Sequence, residues 1–484
     1  MSSPTPPPSP HHAQEAPKPS AADRVPFKEK FAYGVGQLGG ALQSGSDDRL
    51  LLPIFVNALH VSPALMSTLG VVYRIWDAIT DMIMGSVSDN TRSRWGRRRP
   101  YILIGTVLSA VTLPLFWLLD PAWDTRTIIL WMVVGQVILI GCNTIWNIPY
   151  QSLLFEMTPS SVERTNVAAL RSYFSKAAAL GLAWVWWLAQ LPVFNGADGK
   201  PDIIQGAFWV CAGISVIILV CGFTTTRLCK ERFYKAAIKA PKIALWPNIK
   251  MTLANRPFQL LALIVLLFVL GTKTNDTLRF FVLLYHVSGG DSELAARLTG
   301  WGGTLEVITG IAAIPLVQGC ARRYGKRATL TAVMALVGLT GVSTWFTYNP
   351  AYPYLTLLSY LISAPAFSAI WILIPSLTGD VVDDEEHKSG TRREGSFAAV
   401  FSWTFKLAIS VATAGSGLIV VWVGFEAKLG AAQAEGVLFN IRLFLVGTSA
   451  VFIGVAVLLC AVYPLTTRRI EQIRAELEAR RGAL

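Results

Sequence analysis

Charge is scarce in this sequence. Asp, Glu, Lys and Arg make up 15% of its 484 residues, against 53% hydrophobic ones. A soluble globular domain carries nearer about a quarter charged residues, so the composition argues against a water-soluble enzyme or binding module. Histidines number five and cysteines six. The cysteines, Cys142, Cys211, Cys221, Cys229, Cys320 and Cys460, stand in or beside apolar stretches without ligand spacing. They read as small packing residues, and with His387 isolated and His11-His12 in a tail, no metalloenzyme pattern emerges. No substantial soluble domain and no nucleophile–base arrangement is evident, so neither an enzyme nor a cofactor is expected. The first 26 residues hold eight prolines and lack the apolar core of a signal peptide. They are expected to form a disordered cytoplasmic tail.

Long apolar runs are what the chain has instead. Twelve stretches, each near the length of about 20 residues that spans a bilayer, can be marked. They fall roughly at 33–58, 66–88, 101–120, 127–150, 166–190, 206–226, 258–286, 297–319, 328–347, 353–376, 394–424 and 438–464. The reading is an all-α membrane protein with twelve transmembrane helices. The formal net charge of +12 does not point to nucleic acid, because Lys and Arg gather in the connectors after spans two, six and eight. Connectors after spans one, three, five, seven and nine have few. The positive-inside rule then puts both termini in the cytoplasm, and a bacterial inner membrane is the expected location. The basic connector 227–257 divides a bundle over 27–226 from one over 258–464, with a cytoplasmic tail at 465–484. Arg94-Trp95-Gly96-Arg97-Arg98-Arg99 after span two is echoed by Arg322-Arg323-Tyr324-Gly325-Lys326-Arg327 after span eight. Parallel repeats of six spans are a transporter arrangement in which substrate sits between the halves.

Asp77 and Asp81 are the sharpest chemical signal, two carboxylates four apart on one face of a membrane helix with Thr80 beside them. A carboxylate in hydrocarbon is expensive unless it binds an ion, relays a proton or meets a cation. The two sites are either oxygen ligands for a coupling ion, Na⁺ or H⁺, or part of a structural network. Arg74 lies three residues earlier, placed to neutralise Asp77 or to contact substrate. Arg171 in span five and Lys406 in span eleven are further intramembrane cations, and Lys406 is placed to compete with a bound cation for Asp77 or Asp81. Lys273, Asn275, Asp276 and Arg279 form a polar cluster in span seven, either lining the cavity or making a structural pair. The segment 375–397 reads as a cytoplasmic loop containing Asp380 and Asp383. It is either a gate exchanging ion pairs with basic connectors such as Arg97 and Arg98, or a solvated face.

The run Arg74-Ile75-Trp76-Asp77-Ala78-Ile79-Thr80-Asp81, followed by Asp89-Asn90-Thr91-Arg92-Ser93-Arg94-Trp95-Gly96-Arg97-Arg98-Arg99-Pro100, resembles the signature of the glycoside-pentoside-hexuronide:cation symporters. These melibiose permease-like carriers belong to the major facilitator superfamily, and the resemblance implies its fold of two six-helix bundles. Tyr33-Gly34-Val35-Gly36, Ile148-Pro149-Tyr150, Glu163-Arg164, Arg171, Asp380-Val381-Val382-Asp383 and Lys406 extend it along nearly the whole chain. It implies that Asp77, Asp81 and Thr144 are cation-site positions, that Lys406 is the intramembrane coupling lysine, and that Arg171 lies near the sugar. The sugar side departs from melibiose permease, with Ala41, Asn147 and Gln151 where two acids and an aromatic platform are expected. Trp146, Tyr150, Tyr173 and Trp371 are available as other surfaces. The implied function is cation-coupled uptake of a sugar, glycoside or hexuronide by a monomer among membrane lipids; lysolipid or another anionic solute is the alternative.

Overall fold

The computed structural model describes residues 24–158, 161–196, 199, 201–232, 251–390 and 394–482. The expected tail before residue 24, the stretch 233–250 of the basic connector, and Arg392 and Arg393 lie outside them.

The first half holds α1 (Phe27–Leu51), α2 (Pro63–Asn90), α3 (Arg99–Phe116), α4 (Thr125–Met157), α5 (Ser161–Leu182), the single turn α6 (Val185–Leu188) and α7 (Ile203–Leu228). The second holds α8 (Arg256–Phe281), α9 (Ser292–Ala312), α10 (Ile314–Tyr324), α11 (Lys326–Thr347), α12 (Thr356–Ser389), α13 (Glu394–Trp422), α14 (Glu435–Thr448) and α15 (Gly454–Val462). A last helix, α16 (Thr467–Gly482), follows. The expected tail at 465–484 is therefore mostly helical, and α16 packs on α12, burying Ile470, Ile473 and Leu477 in the core of the second half. Likewise, the expected loop at 375–397 is corrected: α12 runs on to Ser389 and stops at Gly390, whose φ is +70°.

Among the described residues, eight helices are long and apolar enough to cross a membrane, or nine if α9 and α10, bent by 45°, count as one broken span. The expected twelve is not reached on that standard. The other three marked stretches are helical as α1, α2 and α5, and what sets them apart is charge inside the helix: Asp47, Asp48 and Arg49; Arg74, Asp77 and Asp81; Arg171 and Lys176. Charge inside an otherwise apolar helix calls for an interior facing a cavity or a partner. On the outer faces the opposite holds. Leu130, Val134 and Ile138 of α4, spaced by four, are 64%, 47% and 48% exposed, a stripe that suits lipid.

The terminal end is the one where α1 begins; the far end is where α1 gives way to α2. At the far end Asp124, Asp202 and Asp291 cap α4, α7 and α9, each accepting from the N–H groups two and three residues on. This explains why those connectors are acidic. The first helix of each half also closes in a wider π-helical turn there, Leu52–Ala58 after α1 and Val282–Val287 after α8.

Within the first half α1 packs on α5 and α7, α3 on α4 and α7, and α2 on α4; within the second α8 packs on α13 and α14, α9 on α12, and α11 on α12 and α15. Contacts joining the halves are prominent at the far end. One buried cluster combines Val56 and Trp186 with Phe281, Tyr285, Val420 and Phe425. Tyr285 Oη donates to Asn57 Oδ1 at 2.9 Å, and Trp184 Nε1 donates to Thr304 Oγ1 at 2.9 Å. His60, held at φ +54°, has its Nδ1 at 3.1 Å from the Ala427 carbonyl. Along the same seam α2 packs on α13, closely enough that a Cβ on Gly417 would fall 1.6 Å from Ser67 Oγ.

Candidate functional site

Arg74, Asp77 and Asp81 stand at i, i+3 and i+7 on α2, so they share a helical face with Gly70, which lies against Thr413 of α13. That face brings Lys406 of α13 to the carboxylates. Its Nζ lies 2.7 Å from Asp81 Oδ2 and 3.5 Å from Asp77 Oδ2. All three side chains are half-buried: 26% exposed for Asp77, 22% for Asp81 and 44% for Lys406. Thr80 Oγ1 lies 3.2 Å from the buried Thr144 Oγ1 of α4 and donates to the Trp76 carbonyl at 3.0 Å. Carboxylates and hydroxyls on α2 and α4 thus converge with a lysine from the other half of the chain. The donor set is all oxygen, which fits Na⁺ as a hard cation, and Lys406 itself is a cation on the same two acids. Arg74 is exposed and, among the described residues, has no ion-pair partner, so the expected neutralisation of Asp77 falls to Lys406 instead.

Arg171 of α5 donates through Nε to Gln37 Oε1 at 2.6 Å. Gln37, Ala168, Arg171, Ser172 and Ser175 line a cavity of about 200 Å³. Gln37 was not singled out in the sequence; it lies inside the glycine run of α1, and its four-residue spacing from Tyr33 was the only hint. Asn147 and Gln151 form a pair on α4, the Gln151 amide donating to Asn147 Oδ1 at 3.0 Å. Trp371 on α12 is exposed and meets Phe405, the neighbour of Lys406, edge-on at 5.4 Å between centroids.

Two expected surfaces are corrected. Trp146 and Tyr150 are buried, the first stacked on the second at 4.6 Å and Tyr150 stacked on Tyr33 at 4.5 Å. Tyr150 Oη donates to the Tyr33 carbonyl at 2.5 Å. They form a column between α1 and α4 in this structure, with the Arg171 guanidinium 5.9 Å from the Tyr150 ring centre, and offer no open aromatic face. Packing consumed them because Gly40 leaves room for the indole: a Cβ there would lie 2.1 Å from Trp146.

The expected gate residues Arg97, Arg98 and Asp380 are paired within their own halves in this structure. Arg97 and Arg98 are buried and both bind Glu156 at the end of α4, Arg98 Nε at 2.9 Å; Arg98 also pairs with Asp89 and donates to Ser88. Glu231, after α7, accepts from the backbone N–H groups of Arg97, Arg98 and Arg99 at 2.6, 2.9 and 2.9 Å, closing the start of α3. In the second half Asp380, buried, accepts from Lys326 Nζ at 2.7 Å. The Asp380–Lys326 pair joins the 375–397 segment to the basic connector after the eighth span within the second half, and buried Asp380 is no solvated face. Asp383 lies on the same stretch of α12, half-buried. The basic turns repeat in conformation as well as sequence: Gly96 and Gly325 have φ of +103° and +84°, a region open chiefly to glycine.

Among the described residues the chain is helical without a strand, in two groups that meet over charged side chains, the fold of the major facilitator type. A bacterial homologue of the human lysosomal transporter Spinster, solved inward-facing and unoccupied, superposes with a TM-score of 0.68 at 13% identity, covering 93% of this chain and 98% of its own. The chain belongs to the MFS/sugar transport protein family, whose sequence profile matches residues 32–467. It is similar to the isoprimeverose transporter of Lactiplantibacillus pentosus, 26% identical over 86% of each chain. It is also similar to the glucuronide carrier protein homolog of Escherichia coli, 24% identical over 95% of this chain and 97% of that one. The melibiose permease-like resemblance read from the α2 motif agrees with these relatives.

Proposed function

We propose that this protein carries a sugar, glycoside or hexuronide across the bacterial inner membrane together with a cation, Na⁺ or H⁺, by alternating access, and catalyses no covalent step. The observation that carries the reading is the approach of Lys406 to Asp77 and Asp81 across the seam between the halves. A lysine in that place is a resident counter-cation. An entering Na⁺ or proton competes with it for the two acids, and the contact between α2 and α13 changes when it does. Cation entry is thereby tied to the relation of the halves, which is what symport requires.

In this reading α1, α2 and α5 span the membrane as well, making twelve spans in bundles at 27–226 and 258–464 with both termini cytoplasmic. Their charges face inward. Asp77, Asp81, Thr80 and Thr144 supply the cation site; Arg171, Asn147, Gln151, Arg74 and Trp371 face the sugar, Arg171 as a fork for paired hydroxyls. The named relatives transport sugars or glucuronides, and nothing favours a lysolipid substrate.

The test is thermal stability of the purified chain in detergent with glycosides, hexuronates or lysolipids, in Na⁺ or choline, across pH 5.5 to 8. A bound ligand at 100 times its Kd stabilises by about 2.7 kcal/mol. A sugar shift that requires Na⁺, or that grows with acidity in choline, is expected. A shift from lysolipid alone, or from sugar regardless of Na⁺ and pH, would overturn the proposal.

A further inference from the structure

A second charged group lies away from the lysine and its two acids. On α8, Asp276 is held between Lys273, whose Nζ is 2.9 Å from Oδ2, and Arg279, whose Nη2 is 2.8 Å from Oδ1. The three share one helical face, and their side chains are 47%, 42% and 29% exposed for Lys273, Asp276 and Arg279. Lys273 stands near the middle of the span Arg256–Val287, where hydrocarbon is no place for an open ammonium. It faces inward instead: Asp48 and Arg49 of α1, in the other half, are near enough to act on its charge. Arg279 sits 4.9 Å over the Tyr360 ring, with Glu306 within electrostatic reach. Close by, the fully buried Tyr348 lies within reach of the Arg279 guanidinium.

A purely structural role explains this poorly. Exposed pairs within one helix add little to stability, and each cation carries N–H groups beyond the one that Asp276 accepts. The balance of formal charge is also uneven. With a coupling cation on Asp77 and Asp81 beside Lys406, that centre is neutral, Asp48 cancels Arg49, and Asp47 and Lys176 cancel in the formal count. The α8 group carries one net positive charge, Arg74 and Arg171 add one each, and Glu306 removes one. The loaded cavity is left with an excess of positive charge that a neutral sugar does not relieve.

We propose that Lys273 and Arg279 form a subsite for an oxyanion substituent of the carried sugar, a carboxylate in the simplest case, so that an anionic glycoside is preferred over its neutral counterpart. This rests on the symport reading above and names the substrate class within it. Asp276 keeps the two cations apart and aimed along one face.

The experiment compares methyl β-D-glucuronide with methyl β-D-glucoside, differing only at C6, by calorimetric titration of the full chain in Na⁺ at pH 7. The wild-type protein is expected to bind the glucuronide about tenfold more tightly, the value of one charge-assisted hydrogen bond. Lys273→Gln removes that preference, lowering glucuronide affinity by more than glucoside affinity. Asp276→Asn, which frees both cations, moves glucuronide affinity the opposite way, so loss of fold cannot imitate the pattern. A preference retained in Lys273→Gln, or no preference in a wild-type protein that binds glucoside with Na⁺, overturns the subsite and leaves symport standing. Binding of neither sugar, in Na⁺ or at acid pH, overturns both.

Discussion

In the proposed symport, Lys406 occupies the position that the coupling cation would take. Two carboxylates one turn apart repel each other, and in a half-buried site that repulsion is relieved by whichever positive charge is nearest. With Nζ at 2.7 and 3.5 Å, the lysine supplies it from the opposite half. Lys406→Ala removes the resident competitor, so Na⁺ is expected to bind about tenfold more tightly, roughly the 1.4 kcal/mol of one modest charge contact. Calorimetric Na⁺ titrations of the two proteins at several pH values check this. Unchanged Na⁺ affinity and unchanged pH dependence would mean that the lysine is structural only.

At the scale of elements, the start of α5 shows how a charged side chain fixes a helix to the segment before α1. Glu163 is buried and receives Lys30 Nζ at 2.7 Å, the Val25 N–H at 3.0 Å and the Asn166 amide at 3.2 Å. Burial pushes the carboxyl up, but Lys30, Val25 and Asn166 outweigh it and hold Glu163 below the usual carboxylate range. A lowered folded value means that the stabilisation is complete above the unfolded value of about 4.3 and disappears as pH falls through the folded one. Glu163→Gln is therefore expected to cost about 1–2 kcal/mol at pH 7. Thermal midpoints of the two proteins in detergent should converge as pH falls below the lowered folded value, where the wild-type carboxyl is protonated too; a gap that persists once the carboxyl is protonated would assign the loss to packing.

Local spacing made much of this legible. The i, i+4 acids in α2, the glycines of the two basic turns and the acids of the far-end connectors each have a cause within a few residues. Partners distant in the chain were not legible. Glu156 looks like one acid at the end of an apolar run until the fold sets it against Arg97 and Arg98, nearly sixty positions earlier. Aromatic residues were misjudged for the same reason: whether Trp146 and Tyr150 face a cavity or a helix depends on Gly40 and Tyr33, which only packing brings to them. Charge inside α1, α2 and α5 lowered their apolar character just where the site needed it.

For the whole molecule, the far end is joined by an apolar cluster, the packing of α2 on α13 and single hydrogen bonds. Such a seam separates without exposing a large buried charge. Tyr285→Phe deletes the bond to Asn57 across the halves while keeping the ring in place. The loss of one such bond, about 1 kcal/mol, should raise the population opened at the far end about fivefold. Spin labels on the far-end tips of α2 and α13 report it as growth of a longer-distance component; an unaltered distribution would show that the bond is incidental.

The three charges at the seam have an electrical consequence. Asp77, Asp81 and Lys406 sum to one negative charge, and the proposed capture of Na⁺ would bring the group to zero. The carrier returning without cargo then moves charge through part of the transmembrane potential, while the cation-loaded centre moves none. A full unit crossing the whole field would feel about 2.3 kcal/mol per 100 mV. Voltage would therefore act on the empty return stroke, so that an interior-negative membrane drives the vacant site back toward the outside.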